Sequence, residues 1–157
     1  MKLKIRRVVG AFIRNKEGKW LIVHKDPNYL IKKKGYSFKL INAWEVLRGG
    51  IRKGETPLKT LRREFKEELG TTKFRNIKSL GIDVFMKEPK KYSKETGLSG
   101  HSIKIFYAEF YGKNSDIQLD KFELIDFKFL DEKRFLKKLK DNDIKTAFRK
   151  FLKKMKK

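Results

Sequence analysis

Residues 49–71 read GGIRKGETPLKTLRREFKEELGT and carry the strongest local signals of the chain. Three glycines allow a sharply turning loop whose backbone can come close to a ligand: Gly49, Gly50 and Gly54. Thr56 offers a hydroxyl for a helix N-cap, and Pro57 suits the first helical position. Gly70 is typical of a helix end. The stretch therefore predicts a glycine-rich loop followed by a helix over residues 57–69.

The predicted helix has an apolar face and an acidic face. At about 100° per residue, four large apolar residues fall on one stripe: Leu58, Leu61, Phe65 and Leu69. Glu64, Glu67 and Glu68 share a neighbouring face, where their carboxylates repel one another. A divalent cation removes this conflict, because magnesium is typically held by a few carboxylates together with substrate phosphates. A solvated acidic face is the alternative. The glycine loop, the N-cap and the helix end all lie at consistent positions around the carboxylates, which favours a metal site.

The length and composition indicate one domain spanning residues 1–157. Hydrophobic residues make up 39% of the chain and aromatic residues 13%, which argues against disorder. The chain has no cysteine, which excludes disulfides, zinc–thiolate sites and cysteine nucleophiles. No apolar run reaches membrane-span length, and no secretory hydrophobic segment follows the basic N-terminus. We expect a cytoplasmic protein without a membrane partner.

The formal net charge is +23, from 42 Lys and Arg against 19 Asp and Glu. Such a field attracts polyanions, which include RNA, DNA and highly phosphorylated nucleotides. A lysine-biased proteome that fills surface positions with lysine is the alternative explanation. The total charge still favours a polyphosphate substrate over a neutral one.

Hydrophobic patterning predicts a sheet with helices packed against it. Strands are predicted over residues 8–13, 20–24, 43–47, 74–86 with a break near Gly81, 102–111 and 122–130. The first two strands form a hairpin around a turn at residues 15–18. The order of strands and helices predicts an α/β (α+β) fold with a mixed sheet.

Two loops and two further helices complete the prediction. Residues 26–38 are expected to form a polar loop, and residues 87–100 a mobile one. Asp131 is expected to start a short helix, and Asp143 to cap a last helix. The apolar stripe of that last helix predicts core packing through six residues: Ile144, Ala147, Phe148, Phe151, Leu152 and Met155.

Residues 49–71 resemble the Nudix box, Gly-x5-Glu-x7-Arg-Glu-U-x-Glu-Glu-x-Gly-U, where U is a bulky aliphatic or aromatic residue. Eight defined positions match: Gly49, Glu55, Arg63, Glu64, Phe65, Glu67, Glu68 and Gly70. Thr71 departs from the pattern, since an aliphatic residue is usual there, and the departure concerns the packing after the helix. The resemblance implies the Nudix fold, an α/β/α sandwich with a mixed β-sheet.

The approach to the box resembles diadenosine tetraphosphate hydrolases and bacterial RNA pyrophosphohydrolases. In residues 44–51, WEVLRGGI, Arg48 stands where those families carry a basic or amide residue before Gly-Gly. Leu47 replaces their usual proline. Arg6, just before the first strand, matches an arginine that reads the substrate phosphates in those families.

Two later segments resemble the same branch. Residues 100–106, GHSIKIF, resemble Gly-Gln-x-x-Lys-aromatic-Phe, which places Lys104 at a phosphate-contacting position. Residues 122–130 resemble Glu-Phe-x-x-Trp-x-Trp, in which the glutamate, here Glu123, is a further metal ligand. The alternatives without a functional role are that Lys104 is a solvated surface lysine and that Glu123 is an exposed glutamate on a strand.

Three more side chains deserve comparison with the site residues of that branch. Tyr92 lies somewhat later than a tyrosine that stacks on the nucleobase in the dinucleoside polyphosphate branch, so an ordinary loop tyrosine is the alternative. His24 and His101 have no partner pattern, and we expect them in surface or loop positions rather than in catalysis.

The resemblance implies a pyrophosphohydrolase that uses Mg or Mn and acts on a phosphorylated nucleotide. Its substrate would be a dinucleoside polyphosphate or an RNA 5′ triphosphate end. The implied metal ligands are Glu64, Glu67, Glu68, the backbone carbonyl of Arg48, and Glu123. By the same resemblance, Glu64 or a loop carboxylate is the base, and Arg63 pairs with Glu55. The implied substrate contacts are Gly49, Gly50, Lys104, Arg6 and Tyr92.

Other functions remain as alternatives. A nucleotide-pool sanitiser acting on oxidised dNTPs, or a nucleoside-diphosphate-sugar hydrolase, would use the same box. A catalytically weak nucleic-acid-binding module would suit the net charge of +23. The intact acidic positions of the box favour an enzyme over such a module.

Overall fold

A computed structural model describes residues 3–37 and 44–156 of the protein, without the side chain of Lys34. These ranges contain seven strands: β1 Lys4–Arg14, β2 Trp20–Lys25, β3 Trp44–Glu45, β4 Leu47–Gly50, β5 Phe74–Lys87, β6 Leu98–Phe110 and β7 Leu124–Leu130. They also contain a short 3-10 helix, Asn114–Asp116, and five α-helices: α1 Tyr29–Lys34, α2 Pro57–Leu69, α3 Lys90–Thr96, α4 Glu132–Lys138 and α5 Asn142–Met155. None of these helices is long and apolar enough to cross a membrane.

The strands form one mixed sheet with β1 at its centre. The hydrogen-bonded order is β3-β2-β1-β6-β5, while β4 pairs with β1 and β7 pairs with β2. Only the β1–β6 pair among them is parallel. Val9 of β1 is the register partner of both Gly49 in β4 and Lys104 in β6. The loop of the box and Lys104 therefore lie in one row of the sheet.

Helices cover both faces of the sheet. On one face, α2 packs through Leu61, Phe65 and Leu69, which are all buried. On the opposite face, α5 packs through five buried residues: Ile144, Ala147, Phe148, Phe151 and Leu152. The Phe148 ring meets the buried Trp20 ring edge-on, with centroids 4.9 Å apart. The predicted mixed sheet between helical layers is thus confirmed.

Helix α2 begins and ends as its sequence predicted. The Thr56 hydroxyl accepts a hydrogen bond from the backbone N–H of Lys59 at 3.2 Å. Gly70 ends the helix with a left-handed φ of 65°. Thr71 is buried, and its hydroxyl accepts a hydrogen bond from the backbone N–H of Lys73 at 3.2 Å. The chain after the helix therefore packs without the usual aliphatic residue.

Both predicted loops were partly wrong. Helix α1 lies within residues 26–38, although Phe38 itself is outside the described residues. Helix α3 lies within residues 87–100, and Gly97 ends it with a φ of 72°. The predicted strand over residues 43–47 is instead the pair β3 and β4, with Ala43 also outside the described residues.

Three details of the predicted helices were also wrong. Asp141, not Asp143, caps α5, and its carboxylate accepts a hydrogen bond from the backbone N–H of Ile144 at 2.8 Å. Leu58 and Met155 lie at the outer ends of their stripes and are 39% and 41% exposed. The apolar stripes of α2 and α5 are therefore shorter than their sequences suggested.

Candidate active site

Gly49 and Gly50 bring the end of β4 close to two charged side chains. A Cβ on Gly49 would overlap Cγ, Cδ and Oε1 of Glu64, which reaches over from α2. A Cβ on Gly50 would overlap the guanidinium of Arg6. Because successive residues of a strand face opposite sides of the sheet, the acidic group and the basic group approach from the two faces.

Arg63 joins the loop to the helix through one guanidinium. Its Nε donates to Oε2 of Glu55 at 2.7 Å, and its Nη2 donates to Oε1 of Glu55 at 2.9 Å. Nη2 also donates to the carbonyl of Gly50 at 3.0 Å. Nη1 donates to Glu64 at 2.8 Å and to Glu67 at 3.2 Å. The predicted pairing of Arg63 with Glu55 is confirmed, and Arg63 also fixes the two helix carboxylates.

Replacing Glu55 with glutamine should remove a pH-dependent part of the stability. Hydrogen bonding from Arg63 lowers the pKa of Glu55 from 4.5 to about 2. Since the folded-state pKa is lowered, this stabilisation is complete above 4.5 and disappears as the pH falls toward 2. Urea unfolding between neutral pH and about pH 3 should show the difference between wild type and Glu55→Gln shrinking with acid.

Glu132→Gln is the control for that experiment, because it makes the same acid-to-amide change at an exposed contact with Lys156 at 3.4 Å. A difference between wild type and Glu55→Gln that stays constant down to acid pH would show that the carboxylate contributes no ionic stabilisation.

Two carboxylates of α2 are buried. Glu64 is 7% exposed and Glu68 is 4% exposed. Burial raises the pKa of both, and the negative charge of Glu123 raises it further. Arg63 opposes the shift of the pKa at Glu64, and Lys25 opposes it at Glu68. Both carboxylates are therefore costly to keep ionised without more positive charge nearby.

Glu123 reaches this cluster through the segment between β6 and β7. The backbone N–H of Gln118 donates to the carbonyl of Leu69 at 2.8 Å, and that of Asp120 donates to the carbonyl of Glu68 at 3.1 Å. These bonds hold the segment against the C-terminal end of α2. The carbonyl of Glu123 then accepts a bond from the N–H of Asp26 at 2.8 Å. Glu123 is thereby brought beside residues more than fifty positions earlier in the chain.

The donor set suits a hard divalent cation. As they stand, no three acidic or histidine side chains within the described ranges are close enough together to hold a metal ion. The chemistry of the group nevertheless fits: two buried carboxylates, Glu64 and Glu68, repel Glu123, while Glu67 is 48% exposed beside them. Oxygen donors under mutual repulsion are the ligands that Mg²⁺ and Mn²⁺ take.

The opposite face of the loop is basic. Arg48 donates to the carboxylate of Glu45 and, at 3.2 Å, to the sulfur of Met86. Arg6 lies over Gly50 on the same face. Arg48 therefore points its side chain away from α2, and only its backbone is available on the acidic side of β4.

Both histidines, expected in surface or loop positions, lie on strands and are partly exposed. His101 lies on β6, with its Nε2 2.8 Å from Oε1 of Glu88, although the geometry does not make a hydrogen bond. Burial, followed by the charges of Arg48 and Arg6, lowers the pKa of His101 to about 4. The ring is therefore neutral at physiological pH. His24 lies on β2, stacked on Trp44 with ring centroids 4.6 Å apart.

The structure brings most of the predicted site residues together around the end of β4. The acidic residues and Arg63 lie on the α2 side, and Arg6 lies on the other. Lys104 is two strands from Gly49 on the α2 face. Tyr92 lies on α3, which packs against the start of β6.

Sequence reasoning missed Lys25. Its Nζ lies 3.3 Å from the carboxylate of Glu123, and its charge acts on Glu68. The contact forms because β2 and β7 pair, with Lys25 opposite Leu124. No local pattern around Lys25 signals this pairing, since the partner lies nearly a hundred residues away.

Comparison with known proteins finds a family match along most of the chain. The family model of the NUDIX domain matches residues 4–151. An RNA pyrophosphohydrolase of a Nitratiruptor species is 34% identical over 91 residues, which are 57% of this chain and 59% of that protein. An RNA pyrophosphohydrolase of Bartonella quintana is 30% identical over 118 residues, 73% of this chain and 66% of that protein. The chain thus spans less than two thirds of each relative's length.

A solved structure shares the fold along the whole chain. The crystal structure of a MutT protein from Methanosarcina mazei Go1 aligns with a TM-score of 0.71 and 19% identity, covering 100% of this chain and 99% of that one. The NUDIX match runs from the first strand into the last helix and includes the glycine loop, the Arg63–Glu55 pair and the acidic helix. On these grounds the chain belongs to the NUDIX domain family.

Proposed function

We propose that this protein hydrolyses a phosphoanhydride bond at the 5′ triphosphate end of RNA, with Mg²⁺ or Mn²⁺ as cofactor. The observation that carries the proposal is the pair of buried carboxylates, Glu64 and Glu68, beside the glycine loop. Both are costly to keep charged unless a cation binds there. The two relatives that are RNA pyrophosphohydrolases support an RNA end as the substrate.

Glu64, Glu67 and Glu68 would hold the metal, with Glu123 and the backbone carbonyl of Arg48. When bound, the metal would make hydroxide available near neutral pH and offset the charge of the phosphates. Arg63 would keep two of these carboxylates in place, since it bonds Glu64 and Glu67 together.

The proton of the attacking water needs a carboxylate with a suitable pKa. Glu55 is a poor base, because hydrogen bonding from Arg63 holds its pKa at about 2. Glu64 lies against Gly49, where the glycine loop meets the acidic helix, and is the remaining candidate for the base.

Basic residues would stabilise the phosphate groups. Arg6 lies at Gly50 and Lys104 lies in the row of Gly49, so cations flank the loop on both faces of the sheet. Such groups neutralise charge that develops on the leaving and transferring phosphates. The net charge of +23 would raise the rate of encounter with any polyphosphate.

A substrate comparison tests the proposal. The protein with Mg²⁺ or Mn²⁺ should convert 5′-triphosphorylated RNA to the 5′-monophosphate faster than it cleaves diadenosine tetraphosphate, ADP-ribose or 8-oxo-dGTP. Chelation with EDTA should abolish the reaction, because the acidic cluster has no other source of an activated water.

Each other outcome would point to one of the alternatives. Preference for diadenosine tetraphosphate would make the protein a dinucleoside polyphosphate hydrolase. Preference for 8-oxo-dGTP would indicate a sanitiser of oxidised nucleotides, and preference for ADP-ribose a nucleoside-diphosphate-sugar hydrolase. Tight RNA binding by a folded protein that cleaves none of the four would indicate a nucleic-acid-binding module.

A further inference from the structure

The sheet face on which α2 packs continues beyond this helix as an open surface on β1, β6 and β5. Ile5 and Phe85 are large apolar residues on this face, and they are 54% and 51% exposed. Two rows of register partners form the surface: Arg7, Ser102 and Phe85 in one, and Ile5, Gly100 and Lys87 in the next. An aromatic ring among basic residues on an open sheet is the arrangement with which single-stranded RNA is bound.

The Phe85 ring lies over a glycine. A Cβ on Gly100 would be 2.7 Å from Cζ of Phe85 and 3.0 Å from its Cε2. Any side chain at this position would displace the ring from the sheet surface. Gly100, the first residue of the segment that resembles the phosphate-contacting strand, thus lets the ring lie against the backbone while half of it stays exposed.

The open surface is continuous with the candidate active site. Gly49, Val9, Lys104 and Asp83 are register partners across β4, β1, β6 and β5. At the usual strand spacing, Lys104 is about 10 Å and the β5 row about 15 Å from Gly49. Phe85 follows Asp83 on the same face of β5. A chain that starts at Glu64 would therefore cross Lys104 and reach Phe85.

We propose that this surface, defined by Ile5, Arg7, Phe85 and Lys104, binds the RNA nucleotides that follow the 5′ end in the active site. A base stacks on the exposed Phe85 ring and Arg7 contacts a backbone phosphate, while Lys104 lies between these two residues and the terminal phosphates. This inference rests on the proposed RNA substrate. It adds that the enzyme holds the RNA chain as well as its terminal phosphates.

The charge of the surface favours RNA over a second copy of the protein. Arg7, Lys87 and Lys104 are basic, while Asp83 stands opposite Lys104. Two copies apposed through this face would bring like charges together, on chains that each carry a net +23. The same basic residues would attract a polyanion.

Direct binding tests the surface separately from turnover. The probe is a ten-nucleotide 5′-monophosphorylated RNA with a 3′ fluorophore, which lacks the bond to be cleaved, and the readout is fluorescence anisotropy. Phe85→Ala should weaken binding about tenfold, since loss of one stacked base has an effect of that order. Phe85→Trp should retain binding. Arg7→Ala should reduce the slope of log affinity against log salt by about 1.

Tyr111→Ala is the matched control, because Tyr111 is a 40% exposed aromatic residue just past the opposite end of β6. It should bind the RNA as wild type does. Equal affinities of wild type and Phe85→Ala, or a wild-type protein that binds no RNA, would overturn the proposal. So would a dimer that Phe85→Ala dissociates in sedimentation velocity. A Phe85-dependent RNA complex without cleavage of triphosphorylated RNA would support the surface while refuting the proposed reaction.

Discussion

Glu67→Gln should reduce turnover at least about 100-fold while the protein stays folded. Glu67 is 48% exposed, and its contacts with Arg63 at 3.2 Å and Arg52 at 4.0 Å are partly solvated. Loss of such surface pairs should change the free energy of unfolding by no more than about 1 kcal/mol. The carboxylate matters instead as a metal ligand, because glutamine keeps its size but brings no charge to the cation.

The measurement pairs urea unfolding with initial rates over a Mn²⁺ titration. Glu132→Gln, which makes the same acid-to-amide change at an exposed pair with Lys156, should behave as wild type in both. A folded Glu67→Gln protein with wild-type turnover and an unchanged metal dependence would refute the role of the acidic helix.

Helix α2 could be predicted almost completely because its signals are local. The cap at Thr56, the proline after it and the glycine at position 70 act within a few residues of the helix ends. Leu58 was misplaced because periodicity assigns a face but not the extent of the surface beneath it. Leu58, in the first turn of α2, is 39% exposed and lies outside the core cluster that contains Leu61 and Phe65.

The short helices were missed for different reasons. Helix α3 carries a usable signal, since Pro89 precedes it and Gly97 ends it, but its Lys- and Ser-rich sequence favoured a loop. Helix α1 depends on contacts outside itself: Asp26 accepts a bond from the N–H of Asn28 at 2.9 Å and pairs with Lys32. Six residues have little helical stability of their own.

The candidate site likewise has one part that could be predicted from the sequence and one part that could not. The pairing of Arg63 with Glu55 could be predicted because the resemblance to the Nudix box implies it. The burial of Glu68 and the approach of Lys25 could not, because they depend on where the segment before β7 crosses the end of α2. The box therefore identifies most of the acidic residues of the site, while strand pairing determines which basic residue lies beside them.

Gly49→Ala should damage both stability and turnover, because the added methyl group would overlap Cγ, Cδ and Oε1 of Glu64. Glu64 is 7% exposed and bonded to Arg63 at 2.8 Å, so it has little room to move. Overpacking of this kind costs about 1–3 kcal/mol in the free energy of unfolding. Displacement of a reacting group by about 1 Å can cost about 100-fold in rate, which is the expected loss of kcat.

Gly50→Ala is the matched comparison, since the next glycine meets the flexible end of Arg6 rather than a buried carboxylate. The guanidinium can move toward solvent, so the free energy of unfolding should change by no more than about 0.5 kcal/mol. Its metal dependence should match that of wild type, while KM should rise because Arg6 leaves the loop. Equal losses of stability and kcat in both variants would mean that the loop tolerates no side chain at all. A larger loss in Gly49→Ala, with a weakened response to Mn²⁺, would locate the metal chemistry at Glu64.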